Sequence, residues 1–292
     1  MKILIIGNGF ISTSIIKRLE SENHEVLVFS RSHNEKISCR QILGDIFDFD
    51  EFVKVFDWNP QIVIHTAWIT TPVIYRNDLS NFKYKLFTIK LAKYVAHSNI
   101  EHLIVLGTCA EYGYQSEPCH AGFTQLAPNT LYAQQKVDAF NSSRDLMQDS
   151  NGRFTWARIF YPYGPNQHHK RLIPSLIRSL TKEEPIILDD ITSIYDWIST
   201  HDIASAISWV ITNDLPAELD VGTSLGFTNL QLLSTLEMLM KTSNTLLGGT
   251  NHVLGNGETF VVSEASALLK SGWLPKDSIL TGLEWILRHE KT

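Results

Sequence analysis

The chain has 292 residues, of which 43% are hydrophobic and 19% charged, and its net charge of −6 comes with basic residues scattered apart from short clusters. That length supports one large domain or two interlocked ones around a sizeable core, and the charge argues against a nucleic-acid surface and for a small-molecule partner. Cys39, Cys109 and Cys119 are odd in number and lack metal-ligand spacing, the apolar run in MKILIIGNGF is too short for a signal peptide or membrane span, and no repeat is visible, so a cytoplasmic protein without a metal is expected.

In chain order, Lys2–Ile6 is a short apolar run that meets Gly7-Asn8-Gly9-Phe10-Ile11-Ser12, and a segment with Ile11, Ile15, Ile16 and Leu19 on one face follows. The pattern reads as strand, glycine turn and helix. Gly7 permits the tight turn, Gly9 lets a pyrophosphate approach the backbone, and the helix start offers free N–H groups to it. Ser12 stands where a third glycine is usual, so a purely structural turn is the alternative. Glu25–Phe29 reads as a second strand whose end would meet the adenosine ribose. An acid there would bind a 2′-hydroxyl, but the chain has Ser30-Arg31-Ser32. Arg31 suits a 2′-phosphate, which favours NADP over NAD; a solvated charge is the competing reading. After a strand-like stretch at Gln41–Leu43, Asp45 either accepts from an adenine amine or serves the turn.

Gln61–His65 is a further buried strand, and Thr66-Ala67-Trp68 follows it, the small residues leaving room for a cofactor. Helical periodicity runs from about Phe82 to Ser98, and Leu103–Leu106 is an apolar strand whose exit carries Thr108. Strands separated by helical segments predict an α/β, doubly wound parallel sheet of Rossmann-like type, with ligands beyond the carboxyl ends of its strands. Leu131–Val137 then sets Tyr132 and Lys136 four residues apart, one turn apart on one face of a helix, with Pro128 in its first turn and Asn129 or Thr130 as cap. A nearby ammonium favours a phenolate, which would bring the Tyr132 hydroxyl toward acid–base work near neutrality. Alone, the pair also fits an ordinary amphipathic surface helix.

Gly7 and Gly9, Asp45, His65-Thr66-Ala67, Thr108 with Tyr132-x-x-x-Lys136, Arg158-x-Phe160-x-x-Tyr163-Gly164-Pro165, Asp220-Val221-Gly222-Thr223 and Ser271-Gly272-Trp273-Leu274-Pro275 together resemble the extended short-chain dehydrogenase/reductases, in their nucleotide-sugar epimerase, dehydratase and ketoreductase branch. The resemblance spans nearly the whole chain. It implies that Thr108 hydrogen-bonds the reacting sugar oxygen, Tyr132 transfers a proton, and Lys136 lowers the tyrosine pKa while holding the nicotinamide ribose. Ile159 and Phe160 would flank the nicotinamide, with Phe10, Ile11, Ile46, Thr66 and Ala67 as further cofactor contacts. Trp68, Cys109 and Tyr161 would face a nucleotide-sugar substrate. Tyr195 occupies the place where the family commonly has a diphosphate-binding Arg, so Arg171, in the His168-His169-Lys170-Arg171 cluster, is the candidate for that contact; a solvated loop is the alternative. A homodimer through the helices near Phe82–Ser98 and Tyr132 is implied as well.

The expected division is a dinucleotide-binding domain over residues 1–160 and a smaller C-terminal substrate lobe over 161–292, with about 196–212, including a helix from Asp202 through Ile211, returning to the first domain. Relatives that eliminate water carry an Asp and a Glu after the catalytic Thr, but here Cys109 and Ala110 follow Thr108, which disfavours a dehydratase. The expected activity is an NADP(H)-dependent reduction of a nucleotide-linked keto sugar. A 4-epimerase with tightly held NAD is the alternative, and a non-catalytic NADP-sensing protein, opposed by the intact Thr108, Tyr132 and Lys136, is a third reading.

Overall fold

The computed structural model describes residues 1–186, 188, 191–242 and 260–289. The first half alternates strands and helices: β1 (Lys2–Ile6), α1 (Phe10–Ser21), β2 (Glu25–Ser30), β3 (Arg40–Leu43), α2 (Phe49–Phe52), β4 (Ile62–His65), α3 (Ser80–Ala96), β5 (His102–Thr108), α4 (Leu131–Met147) and β6 (Arg153–Ile159). The second half contains β7 (Tyr161–Tyr163), α5 (Leu172–Thr181), β8 (Ile194–Ser199), α6 (Thr200–Thr212), β9 (Glu218–Val221), β10 (Gly226–Thr228), α7 (Asn229–Met240), β11 (Phe260–Val261), α8 (Ser266–Lys270) and α9 (Ile279–His289).

Among the described residues, the main sheet has seven strands in the order β3-β2-β1-β4-β5-β6-β9, every pair parallel. Its central strands are apolar on both faces because helices cover both sides. The period of two shows in β1: Ile3 and Ile5 join Ile15, Ile16, Ile203 and Ile207 in the core under α1 and α6, whereas Leu4 and Ile6 join Phe87, Leu91 and Phe140 under α3 and α4. Chain order reverses between β1 and β4, so a crevice opens beyond their carboxyl ends.

The smaller sheet is centred on β8, which pairs in parallel with β7 and β11 and antiparallel with β10. A separate apolar cluster of Ile173, Leu176, Leu232, Leu236, Leu283 and Ile286 lies under it. The stretch expected to return to the main body from about residue 196 still belongs to this sheet as far as Ser199. The reason is Asp196, whose buried carboxylate accepts bonds from Thr223, Ser224 and Ser263 and stitches β8 to its neighbours. The return begins at Thr200, where the Ser199 hydroxyl caps α6 by accepting from the Asp202 N–H, and it continues into β9. The expected lobe over 161–292 includes residues outside the described ones. Among the described residues no helix is long and apolar enough to cross a membrane.

Candidate active site

The crevice between β1 and β4 is built around Gly7. Its φ is +106°, and a Cβ there would lie 2.6 Å from Thr66 Oγ1 and 3.1 Å from the Ala67 nitrogen, so conformation and space both require glycine. The Thr66 hydroxyl donates to Ile6 O at 2.9 Å and holds the two strand ends together. At Gly9, in contrast, an added Cβ would meet nothing within 4 Å. Gly9 is the N-cap of α1, with no side-chain cap and no acid in the first turn, so the first N–H groups face open space with the positive end of the helix dipole. Ser12 is buried and donates its hydroxyl to Gly9 O at 3.0 Å, fitting the tight helix start where a third glycine is usual. Phe10 and Ile11 are half-buried in that turn.

At the other end of the crevice Arg31 is exposed just past β2. The loop behind it folds onto the glycine turn: the Asn8 amide donates to Ser32 O at 2.5 Å and the Asn34 amide to Asn8 O at 2.9 Å. Asp45 accepts from the Phe47 N–H at 3.0 Å, so its turn role is built into the fold. Ile46 is buried with Phe29 and Phe52 and supports the crevice floor from the core. A glycine cradle that a Cβ would fill, an uncapped helix start and a cation at the ribose end fit a nicotinamide adenine dinucleotide.

Thr108 ends β5, and Tyr132 and Lys136 lie on one face of α4. The α4 cap is Thr130, whose Oγ1 accepts from the Ala133 N–H at 3.2 Å; Pro128 lies ahead of that cap instead of in the first turn. The Tyr132 hydroxyl faces the Thr108 side chain, which favours the phenolate. Burial pushes the phenol above its ordinary range, Tyr75 adds to that, and Thr108 pulls it back. Lys136 Nζ donates to Leu106 O at 2.6 Å and sits 3.9 Å from the centroid of the Trp68 ring. Burial draws Lys136 down to about 7, with Glu111 pulling it up. The Lys136 ammonium thus turns to a carbonyl and an indole, and burial raises the phenol and lowers the amine.

Glu111 was not singled out in the sequence, although Thr108-x-x-Glu111 is a capping-box signature. Its fully buried carboxylate accepts from the Thr108 N–H at 2.9 Å, from Trp156 Nε1 at 3.0 Å and from Arg158 Nε at 2.7 Å, and Arg158 also pairs with Glu218 at 2.7 Å. The turn carrying Thr108 is thereby anchored to β6.

On the expected substrate side, Tyr161, Tyr195 and Trp197 form an aromatic cluster, with Tyr161 4.4 Å from Tyr195 and 5.4 Å from Trp197 between ring centroids. Arg171 donates to Thr70 O at 3.0 Å, and its guanidinium lies 5.2 Å from the Tyr75 ring, whose centroid is 5.0 Å from that of Tyr132. Arg171 thus reaches the rim of the cluster, and Tyr75 joins it as a residue the sequence did not flag. Cys109 is buried, and burial holds its thiol well above the usual range. Trp68 is buried too, against Lys136 and Tyr84. Ile159 and Phe160 are in the core, and Phe160 is 0% exposed, so the Phe160 side chain presents nothing to the crevice. The His168 and His169 rings stack on each other at 4.4 Å, and among the described residues no three His, Cys, Asp or Glu side chains are grouped to hold a metal ion.

A strand-bound glycine cradle and a Thr, Tyr and Lys constellation at the carboxyl end of a parallel sheet define a dinucleotide-dependent enzyme of the extended short-chain dehydrogenase/reductase type. The model of the NAD dependent epimerase/dehydratase family matches residues 3–222, and the chain belongs to that family. No curated protein sequence matches it significantly. Among solved structures, it is similar to UDP-glucose 4-epimerase from Thermotoga maritima with UDP-glucose, at TM-score 0.86 and 18% identity over 100% of this chain and 99% of that one. It is similar to Thermus thermophilus UDP-glucose 4-epimerase in complex with NAD, at TM-score 0.85 and 21% identity over 100% and 99%. The dTDP-glucose 4,6-dehydratase of Bacillus anthracis in complex with NAD follows at TM-score 0.82 and 19% identity over 100% and 96%. Identities this low carry the fold alone.

Proposed function

We propose that the chain is an NADP(H)-dependent reductase of a nucleotide-linked keto sugar. The observation that carries this reading is the buried Tyr132 beside Thr108, with Cys109 and Ala110 in place of acids and Glu111 fully engaged by Arg158, Trp156 and the Thr108 N–H. Such a set can move one proton but cannot drive elimination, which needs both an acid and a base. Thr108 holds the carbonyl oxygen, Tyr132 donates its proton to it, and Lys136 offsets the phenolate left behind. Gly7, Gly9, Phe10 and Ile11 receive the diphosphate of the dinucleotide, Thr66 and Ala67 line its path, and the backbone at Ile159 and Phe160, at the end of β6, backs its nicotinamide end. When bound, the dinucleotide supplies the hydride. The substrate lies toward Tyr161, Tyr195 and Arg171, in the lobe that begins after Phe160.

With a 4-keto-6-deoxy nucleotide sugar and NADPH deuterated at the nicotinamide C4, deuterium is expected at the former carbonyl carbon of the product. Failure to transfer it would refute the reductase reading. The second reading, a 4-epimerase with NAD, is favoured by the likeness to two 4-epimerase structures, one of them solved with NAD.

Arg31 tilts the choice toward NADP. A charged hydrogen bond to phosphate contributes on the order of 1.5–3 kcal/mol, so Arg31→Ala should weaken NADP roughly ten- to a hundred-fold and leave NAD little changed. Calorimetry showing equal losses for both would remove that role. A homodimer through α3 and α4 is supported by Leu79, Phe82 and Leu86, which are 73%, 43% and 56% exposed at or near the start of α3; a monomer by sedimentation at micromolar concentration would contradict it. Three free cysteines fit a reducing, cytoplasmic setting.

A further inference from the structure

Trp68 was expected to face substrate, but its indole is built into the protein. Its Nε1 donates to Asn81 Oδ1 at 2.7 Å, and its ring stacks on Tyr84 with centroids 5.6 Å apart. Asn81 is fully buried and donates in turn to Tyr75 O at 2.8 Å and Asp78 O at 2.7 Å, so the indole is tied to the loop that bears Tyr75. Lys136 Nζ lies 3.9 Å from the indole centroid. An ammonium has three N–H groups, and Leu106 O takes one. The ring face is attractive to a cation at this distance, most of all for tryptophan and most of all when desolvated. Trp156 also offers a ring, but at 5.7 Å, and its N–H is committed to Glu111.

We propose that Trp68 is a positioning residue of the active site: its indole, fixed by Asn81, holds the Lys136 ammonium in place one helical turn from Tyr132. This rests on the reading that Lys136 works with Tyr132. The other titratable groups around Lys136 are Glu111 from the turn after β5, His65 at the end of β4 and Tyr132 on α4. Burial draws His65 down to about 3, with Lys136 adding to that, so the imidazole is neutral at working pH. Arg158, from β6, is tied to Glu111, and the Lys85–Asp138 pair, at 3.6 Å, joins α3 to α4. Burial lowers Lys136 to about 7, so the loss of a modest attraction would leave it largely neutral at neutral pH.

The test is the titration of Lys136 itself, followed by NMR in protein labelled with ¹³C at lysine Cε, with Lys136→Met to assign the resonance. Trp68→Leu removes the ring face, and the midpoint should fall by about 0.5–1.5 pH units, with Trp68→Phe between leucine and the wild type. A ring-fluorinated tryptophan at position 68 alone keeps the shape while weakening the face, so it guards against a variant that does not fold; it should also lower the midpoint. An unchanged or raised midpoint with the fluorinated ring would overturn the proposal. No substrate enters this measurement, so its failure is distinguishable from failure of the reductase reading, which Tyr132→Phe turnover addresses.

Discussion

Tyr132→Phe is expected to cut turnover by roughly 10²–10⁴ while leaving dinucleotide affinity nearly unchanged, which is the usual contribution of general acid–base catalysis. The substitution removes the hydroxyl beside Thr108 and little else. The ring that packs edge-on to Tyr75 at 5.0 Å and to Trp68 at 6.3 Å is retained, as is the backbone bond from the Tyr132 N–H to Arg76 O at 2.9 Å, so the position of α4 should survive. Because burial keeps the phenol protonated at neutral pH, the resting enzyme holds the proton that a reduction needs. Single-turnover loss of reduced-nicotinamide absorbance reads the rate, and calorimetry reads the affinity. Full activity in the variant would remove Tyr132 from the mechanism.

Glu111→Ala should lower the unfolding free energy by about 3–5 kcal/mol, the range for breaking a buried ion pair by removing one partner. Arg158 is 0% exposed. Without Glu111 it would keep Glu218 but lose the buried carboxylate that accepts from its Nε. The Trp156 and Thr108 N–H groups would lose their acceptor as well. For a chain of 292 residues this corresponds to a fall in Tm of about 5–8 °C, from the usual unfolding entropy per residue. Replacing both charges with apolar residues, Glu111→Leu with Arg158→Met, should recover part of the loss, because apolar substitutes for a buried pair often cost little. Denaturant unfolding would check both; a single variant as stable as wild type would show that the pair contributes nothing net.

The main sheet was legible because its strands are short runs of apolar residues between helical segments, and a parallel strand covered on both faces leaves that mark in sequence. The glycine turn was legible for a related reason: Gly7 answers a steric demand that no other residue meets. The smaller sheet was not, since β7, β10 and β11 have three, three and two residues, too few for any periodicity. What makes β8 part of it is Asp196 reaching Thr223 and Ser263, contacts far along the chain. The same limit applied at the site. Spacing placed Tyr132 and Lys136 on one face, but the direction of their pKa shifts depends on burial and on Tyr75 and Glu111, which the fold brings in from two other segments. Glu111 left a local trace in its capping box; Asn81 and Tyr75 left none.

The most direct measurement of the central claim is cofactor stoichiometry. Given a 4-keto-6-deoxy nucleotide sugar, the purified protein should consume one NADPH per product formed, seen as loss of reduced-nicotinamide absorbance matched to the reduced sugar. Interconversion of two sugar epimers without net consumption of cofactor would contradict the reductase account and establish the epimerase in its place.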